Sequence, residues 1–229
     1  MQTQTRFWSR LGVLGGVYAV LFVIADLLIG NQPDTGASGA AVLAYFNGHR
    51  VAETAGVFVV AVAVVALTFF LASLRYALGR TDGGRLLANV VTIGGAIYAA
   101  GLMIMAALTI ALVDAAKNGL AGAAQTLNVL SNDMWLPVVT GLSVLGLGTG
   151  VAALRGATLP KWLGWVSVAL GVLALSGPAG GIAFLVAPVW TLVTGIVIML
   201  SSRATTAITE PAYTQAAPQP LVTESNRPG

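Results

Sequence analysis

The stretch "VFVVAVAVVALTFFLASL", residues 57 to 74, runs eighteen positions without a charge. It also lacks the polar/apolar alternation that a membrane β-strand needs. A helix of about 20 apolar residues crosses roughly 30 Å of hydrocarbon. Only helices and closed barrels satisfy their backbone polar groups there. Five further stretches are similarly apolar. The expected spans are 11–29, 54–74, 87–113, 135–154, 159–176 and 181–200. The fold class expected is all-α, a polytopic transmembrane helix bundle of six spans occupying residues 1–203.

Charge placement orients that bundle. With the N-terminus in the cytoplasm, the inner segments collect Arg6, Arg10, Arg75, Arg80, Arg85, Arg155, Lys161, Arg203 and Arg227. Only Arg50 and Lys117 fall outside. The positive-inside rule then gives six spans with both termini cytoplasmic. Just 8% of residues are charged and 57% are hydrophobic, too few charges to cover a water-soluble surface. The richness in alanine, glycine, valine and arginine hints at a GC-rich bacterial genome. The expected location is a bacterial cytoplasmic membrane. A competing reading makes Arg6, Arg10 and the run to Ile24 a secretory signal cleaved before Asp26. Continuation of the run to Ile29 favours a retained helix.

The connections differ in character. The first outer loop, about 30 to 53, opens as turn-rich coil in "GNQPDTGASG". It then offers a short helix with Ser38 as N-cap. There Val42, Leu43 and Phe46 can share one face, against the membrane surface or the bundle top. The second outer loop, 114 to 133, reads as mixed and glycine-containing. Residues 204–229 carry Pro211, Pro218, Pro220 and Pro228 and read as a disordered cytoplasmic tail. Gly12 with Gly16 and Gly146 with Gly150 are spaced for close helix approach within the chain. Pro188 should kink the last span. Trp8, Trp135, Trp162 and Trp165 sit at span ends as an aromatic belt.

Candidate chemistry gathers at the outer rim. Asp26 is the one charged residue well inside a span, about 22 Å along its helix at 1.5 Å per residue. Such a carboxylate lines a bundle interior or a wet cavity, or else sits hydrated near the interface. His49, Arg50 and Glu53 precede span two; Asp114 follows span three and Asp133 precedes span four. If helix extends back to His49, then His49 and Glu53 share a face and Arg50 can pair with Glu53. That face could ligate a metal with Asp26 or Asp133 completing the set. The plainer reading is the wet start of a helix, with Glu53 favoured by the N-terminal dipole.

No HExxH, CxxC or Walker loop occurs, and there is no cysteine and one histidine. No catalytic residue is assigned and no cofactor is expected. The expected partners are the lipid bilayer, with a membrane-protein partner or a second copy beside it, and no nucleic acid.

"GGVYAVLFVIADLLIG" in span one, "VLAYFNGHR" before span two and "LPKWLGWVSVALGVL" at span five carry a resemblance. Over about residues 10 to 200 the chain resembles a large group of uncharacterised bacterial six-helix membrane proteins, defined only by a domain of unknown function. The resemblance implies the fold and transfers no catalytic residue. It implies that Tyr45, His49 and Arg50 belong to a recurrent outer-loop pattern. On the residues, the expected function is a non-enzymatic accessory or interaction subunit. The rival is a small-molecule or ion transporter, or a ligand sensor, with an outward cavity near Asp26, His49 and Glu53. A membrane enzyme acting on lipid at the outer rim is the third class.

Overall fold

The computed structural model describes residues 11–209. Their order is α1 Val13–Ile29, α2 Gly39–Leu78, α3 Asp82–Lys117, α4 Ala121–Asp133, α5 Trp135–Leu154, α6 Lys161–Ala174, a 3-10 turn at Gly177–Ala179 and α7 Gly180–Thr209. There is no strand among the described residues. The chain is therefore all-helical, and four of its helical stretches are long and apolar enough to cross a membrane: 39–78, 84–117, 121–154 and 180–201. α1 has 17 residues and α6 has 14, about 25 Å and 21 Å at 1.5 Å per residue.

Six helices close into a ring. α1 packs between α2 and α7, α3 between α2 and α5, and α6 between α5 and α7. One core runs through the ring: Tyr18 and Phe22 of α1, Leu67, Phe70 and Leu74 of α2, Tyr98 of α3, Leu142 and Leu145 of α5, and Trp190 of α7. Glycine sets the closest approaches. A Cβ on Gly94 would lie 2.6 Å from the Leu145 nitrogen, and one on Gly146 would lie 2.8 Å from the Ser167 carbonyl oxygen. Gly146 and Gly150 thus seat α5 on α6 within the chain. On α1, Gly15 makes the tight approach to Thr191 of α7, while Gly16 meets only the tip of Leu192.

Polar groups in the core are mostly paired. The Tyr18 and Tyr98 hydroxyls share a 2.7 Å hydrogen bond across α1 and α3. Trp190 Nε1 donates to Ser167 Oγ at 2.9 Å, and Ser167 Oγ donates to Leu163 O. α7 continues through Pro188, where Thr191 Oγ1 lies 2.7 Å from Pro188 O and 3.3 Å from Gly15 O. That hydroxyl ties the proline turn to α1. Trp162, Trp165 and Trp135 are exposed at helix ends, while Trp190 is buried.

Three boundaries depart from the sequence expectations. α2 is one helix of 40 residues, about 60 Å long. The short helix after Ser38 and the span after residue 54 are therefore one rod. Ser38 does cap it: its Oγ accepts from Ala41 N at 3.3 Å. Second, residues 121–133 form α4 rather than a loop. Third, α7 stays helical to Thr209, past the expected tail start at 204. The rest of that tail, like Trp8, lies outside the described residues.

The long ends of α2 and α3 project together and build a second cluster with α4. Val42 and Phe46 pack there on Leu112, Val113, Ala115, Ala116 and Ala124. The 30–38 segment is tied down on this cap by α4. Asn128 Nδ2 donates to Asp34 O at 2.7 Å and Asn132 Nδ2 to Pro33 O at 3.3 Å.

Candidate functional site

The opposite end of the bundle carries Arg75, Arg80, Arg85, Arg155 and Lys161 with Asp82, and the other five acids of residues 11–209 lie toward the capped end. Its most unusual residue is Glu53. The unbroken α2 helix sets Val42, Phe46, Glu53 and Gly56 on one buried face. Tyr45, His49 and Glu53 follow one another at i, i+4 and i+8, so they stack along one side of the rod. Glu53 lies just before the residue-54 edge of the expected span, and has no exposed surface at all.

Three elements enclose that carboxyl group. Gly56, one turn further along α2, admits the end of α1: a Cβ there would sit 2.6 Å from Ile29 Cγ1. α1 stops at Gly30, whose φ of +63° suits glycine, and whose N–H closes on Asp26 O. The last carbonyl of α1 would be left without a helical partner. The Tyr45 hydroxyl satisfies it by donating to Ile29 O at 2.9 Å. Two residues past the glycine, Gln32 Nε2 donates to Glu53 Oε2 at 3.0 Å. Glu53 Oε1 is buried without a hydrogen-bond partner.

The electrostatics follow from that enclosure. Burial pushes the Glu53 carboxyl above its ordinary 4.5; the Gln32 hydrogen bond, the Tyr45 hydroxyl and the His49 charge each pull it part of the way back. The Tyr45 phenol is pushed up to about 12, first by burial and then by the Glu53 charge beside it. His49 stacks on Tyr45 with ring centroids 4.4 Å apart, and its Nδ1 lies 2.9 Å from Tyr45 O. His49 is exposed. A line of polar groups therefore runs from solvent at His49, past Tyr45, to a covered carboxylate.

Of the six sequence candidates, only His49 and Glu53 come together. Arg50 does not pair with Glu53; its Nη2 donates to Asn47 Oδ1 at 3.0 Å on the exposed side. Asp26, Asp114 and Asp133 are exposed. Asp26 points away from the ring, among exposed Val23, Ile24 and Leu27. Among the described residues no group of three His, Asp or Glu side chains could hold a metal ion. The metal reading, with Asp26 or Asp133 completing a His49–Glu53 pair, therefore has no geometry behind it. Rotation about the helix axis decides this: each carboxylate lies near the rim, but on a different face.

Sequence reasoning missed Gln32. A lone glutamine in turn-rich coil carries no signal, and its role exists only because Gly30 and α4 fold the loop back over α2. Comparison with protein-family models, with curated proteins and with solved structures gave no match.

Proposed function

We propose that this chain is a six-span protein of a bacterial cytoplasmic membrane, with both ends cytoplasmic, and that its outer end is a proton-responsive sensor centred on Glu53. The asymmetry of charge between the two ends supports the orientation. The short α1 and α6 fit a bilayer that thins slightly or lets flanking residues reach outward. The resemblance to uncharacterised six-helix membrane proteins agrees with that span count.

One observation carries the sensing role: a covered carboxylate, one oxygen of which has no partner, reached from solvent through the stacked His49 and Tyr45. An ionised Glu53 holds Gln32 by a charge-assisted hydrogen bond, stronger than its neutral counterpart. Burial outweighs that hold and raises the carboxyl's pKa, so the proton favours the covered state and ionisation favours exposure. As pH rises, the 30–38 segment is released from α2 while Asn128 and Asn132 still tether it to α4. The proton is the input and the position of this outer loop the output. A single carboxylate with no second acid suits a proton better than a multivalent ion.

Amide hydrogen exchange of the full protein in nanodiscs, between about pH 4 and 8, tests this reading. After correction for intrinsic exchange, residues 31–38 should become less protected as pH rises, and Glu53→Gln should abolish the change. Equal protection across that range in the unmodified protein would overturn it.

The accessory-subunit reading keeps one specific support. Asp26 is an exposed carboxylate amid the exposed apolar side chains of α1, and a partner helix with a donor at that depth would cover it. Cross-linking from position 26 that captures one defined membrane protein at stoichiometric yield would favour this second reading.

A further inference from the structure

At the end of the bundle away from Glu53, α2 and α3 leave a groove of about 970 Å³ between them. Gly95 of α3 sets the helix seam beside it, at Leu71, which lines the groove. Its missing side chain lets α3 seat on Leu71, since a Cβ there would lie 2.5 Å from Leu71 Cδ1. The short Ala72, Ala96 and Ala99 leave the space above that seam unfilled. Two threonines line the walls but turn inward: Thr68 donates to Val64 O and Thr92 to Ala88 O, both at 2.8 Å. The body of the groove therefore presents apolar surface. Arg75, Tyr76, Gly79 and Arg80 close its end.

We propose that this groove is a binding site for one anionic phospholipid, its acyl chain against the alanines and its phosphate at Arg75 and Arg80. The dimensions match. From Thr68 to Gly79 is eleven residues of α2, about 16 Å, or half of the roughly 30 Å hydrocarbon core. That is the depth of one leaflet. The charge matches as well. Arg75 gives one donor to Asn89 Oδ1 at 3.2 Å, but a guanidinium has five N–H groups in a fork suited to phosphate. The carboxylates Asp26, Asp34, Glu53, Asp114 and Asp133 belong to the opposite half of the bundle, and of the described helices only Asp82 brings an acid to this end, against Arg75, Arg80, Arg85, Arg155 and Lys161. A zwitterionic lipid fills the same groove, but brings its own cation to the arginines. The site therefore discriminates by headgroup charge. This site is separate from the Glu53 site and rests only on the membrane-spanning reading.

The test uses the full-length protein in nanodiscs of equal phosphatidylglycerol and phosphatidylcholine. Native mass spectrometry counts the lipids that stay bound after extraction. The unmodified protein should retain phosphatidylglycerol preferentially. The preference should drop about fivefold for each arginine removed in Arg75→Gln and Arg80→Gln. Ala72→Phe, which fills the groove, should lower retention with both arginines intact. Arg155→Gln with Lys161→Gln, at the same end but outside the groove, should leave the preference in place. Thermal unfolding in phosphatidylcholine-only nanodiscs checks that each variant is folded. If the preference survives loss of both arginines, or falls equally with Arg155 and Lys161, charge is read diffusely and the proposal is wrong. Displacement of the lipid by inorganic phosphate alone would also refute it, since the groove would then be an anion site. Failure of the protein to enter nanodiscs at all would refute the spanning reading first.

Discussion

Replacing Gly141 with alanine should be among the most damaging single-methyl changes in this protein. Gly141 lies on α5 where it crosses α3. A Cβ built there would overlap the Tyr98 nitrogen, and would sit 2.7 Å from the Tyr98 Cα and 2.9 Å from Gly94 O. All three are backbone atoms, so no rotamer change relieves the clash. Carbon atoms rest at about 3.5–4.0 Å, so α3 and α5 must part locally by about an ångström. Overpacking of this kind costs about 1–3 kcal/mol. Moving Tyr98 also strains its buried hydrogen bond to Tyr18, worth about 0.5–1.5 kcal/mol. The sum is about 1.5–4.5 kcal/mol, or a fall in Tm of roughly 3–18 °C for a chain of this size. Gly48→Ala supplies the contrast. It lies mid-helix in α2 with nothing within 4 Å of its Cβ position, so the same methyl should stabilise by about 0.5–1 kcal/mol. Thermal unfolding of both variants in one detergent measures the difference. A Gly141→Ala protein as stable as the original would refute the idea that this backbone crossing holds the bundle together.

Three further outcomes follow from named contacts. Glu53 has its pKa raised by burial, so the folded state binds its proton more tightly than the unfolded chain does. Its contribution to stability is full below the ordinary 4.5 and is lost as pH rises through the folded value. Glu53→Gln should therefore match the original protein near pH 4 and exceed it by about 1–2 kcal/mol near pH 8, read as Tm against pH; a constant gap would sink the assignment. Trp190→Phe keeps the aromatic bulk but loses the donor to Ser167, and should cost about 1 kcal/mol by denaturant or thermal unfolding. Ser38→Ala removes the α2 cap, at about 0.5–2 kcal/mol of local stability. It should appear as faster amide exchange over residues 39–42, with the core unchanged.

The helices themselves were legible. Long apolar runs leave the backbone no other way to satisfy its N–H and C=O groups in lipid. The Ser38 cap, the exposed Trp162 and Trp165, and the intrachain role of Gly146 and Gly150 are local consequences of residue type and spacing. So is the shared side of His49 and Glu53, because four residues along a helix nearly complete a turn. α4 escaped notice because its sequence is polar and carries glycine at 122. Its signal was Ala124, Asn128 and Ser131 at i, i+4 and i+7, the three positions it buries.

Which carboxylate matters was a different kind of question. Asp26 lies within an expected span and Glu53 outside one, so hydropathy ranks Asp26 as the buried acid. The fold reverses this: Asp26 is exposed and Glu53 is fully covered. Hydropathy along a chain measures depth along each helix axis. It carries no information about rotation around that axis, which is set by the faces the neighbouring helices choose to bury. Sequence alone determined that these residues form apolar helices and where their charges thin out. The ring closing α1 against α2 and α7, and the loop folded over Glu53 by Gly30, Gln32 and Asn128, were decided only by tertiary packing, because contacts across 21 and 94 residues leave no local pattern to read.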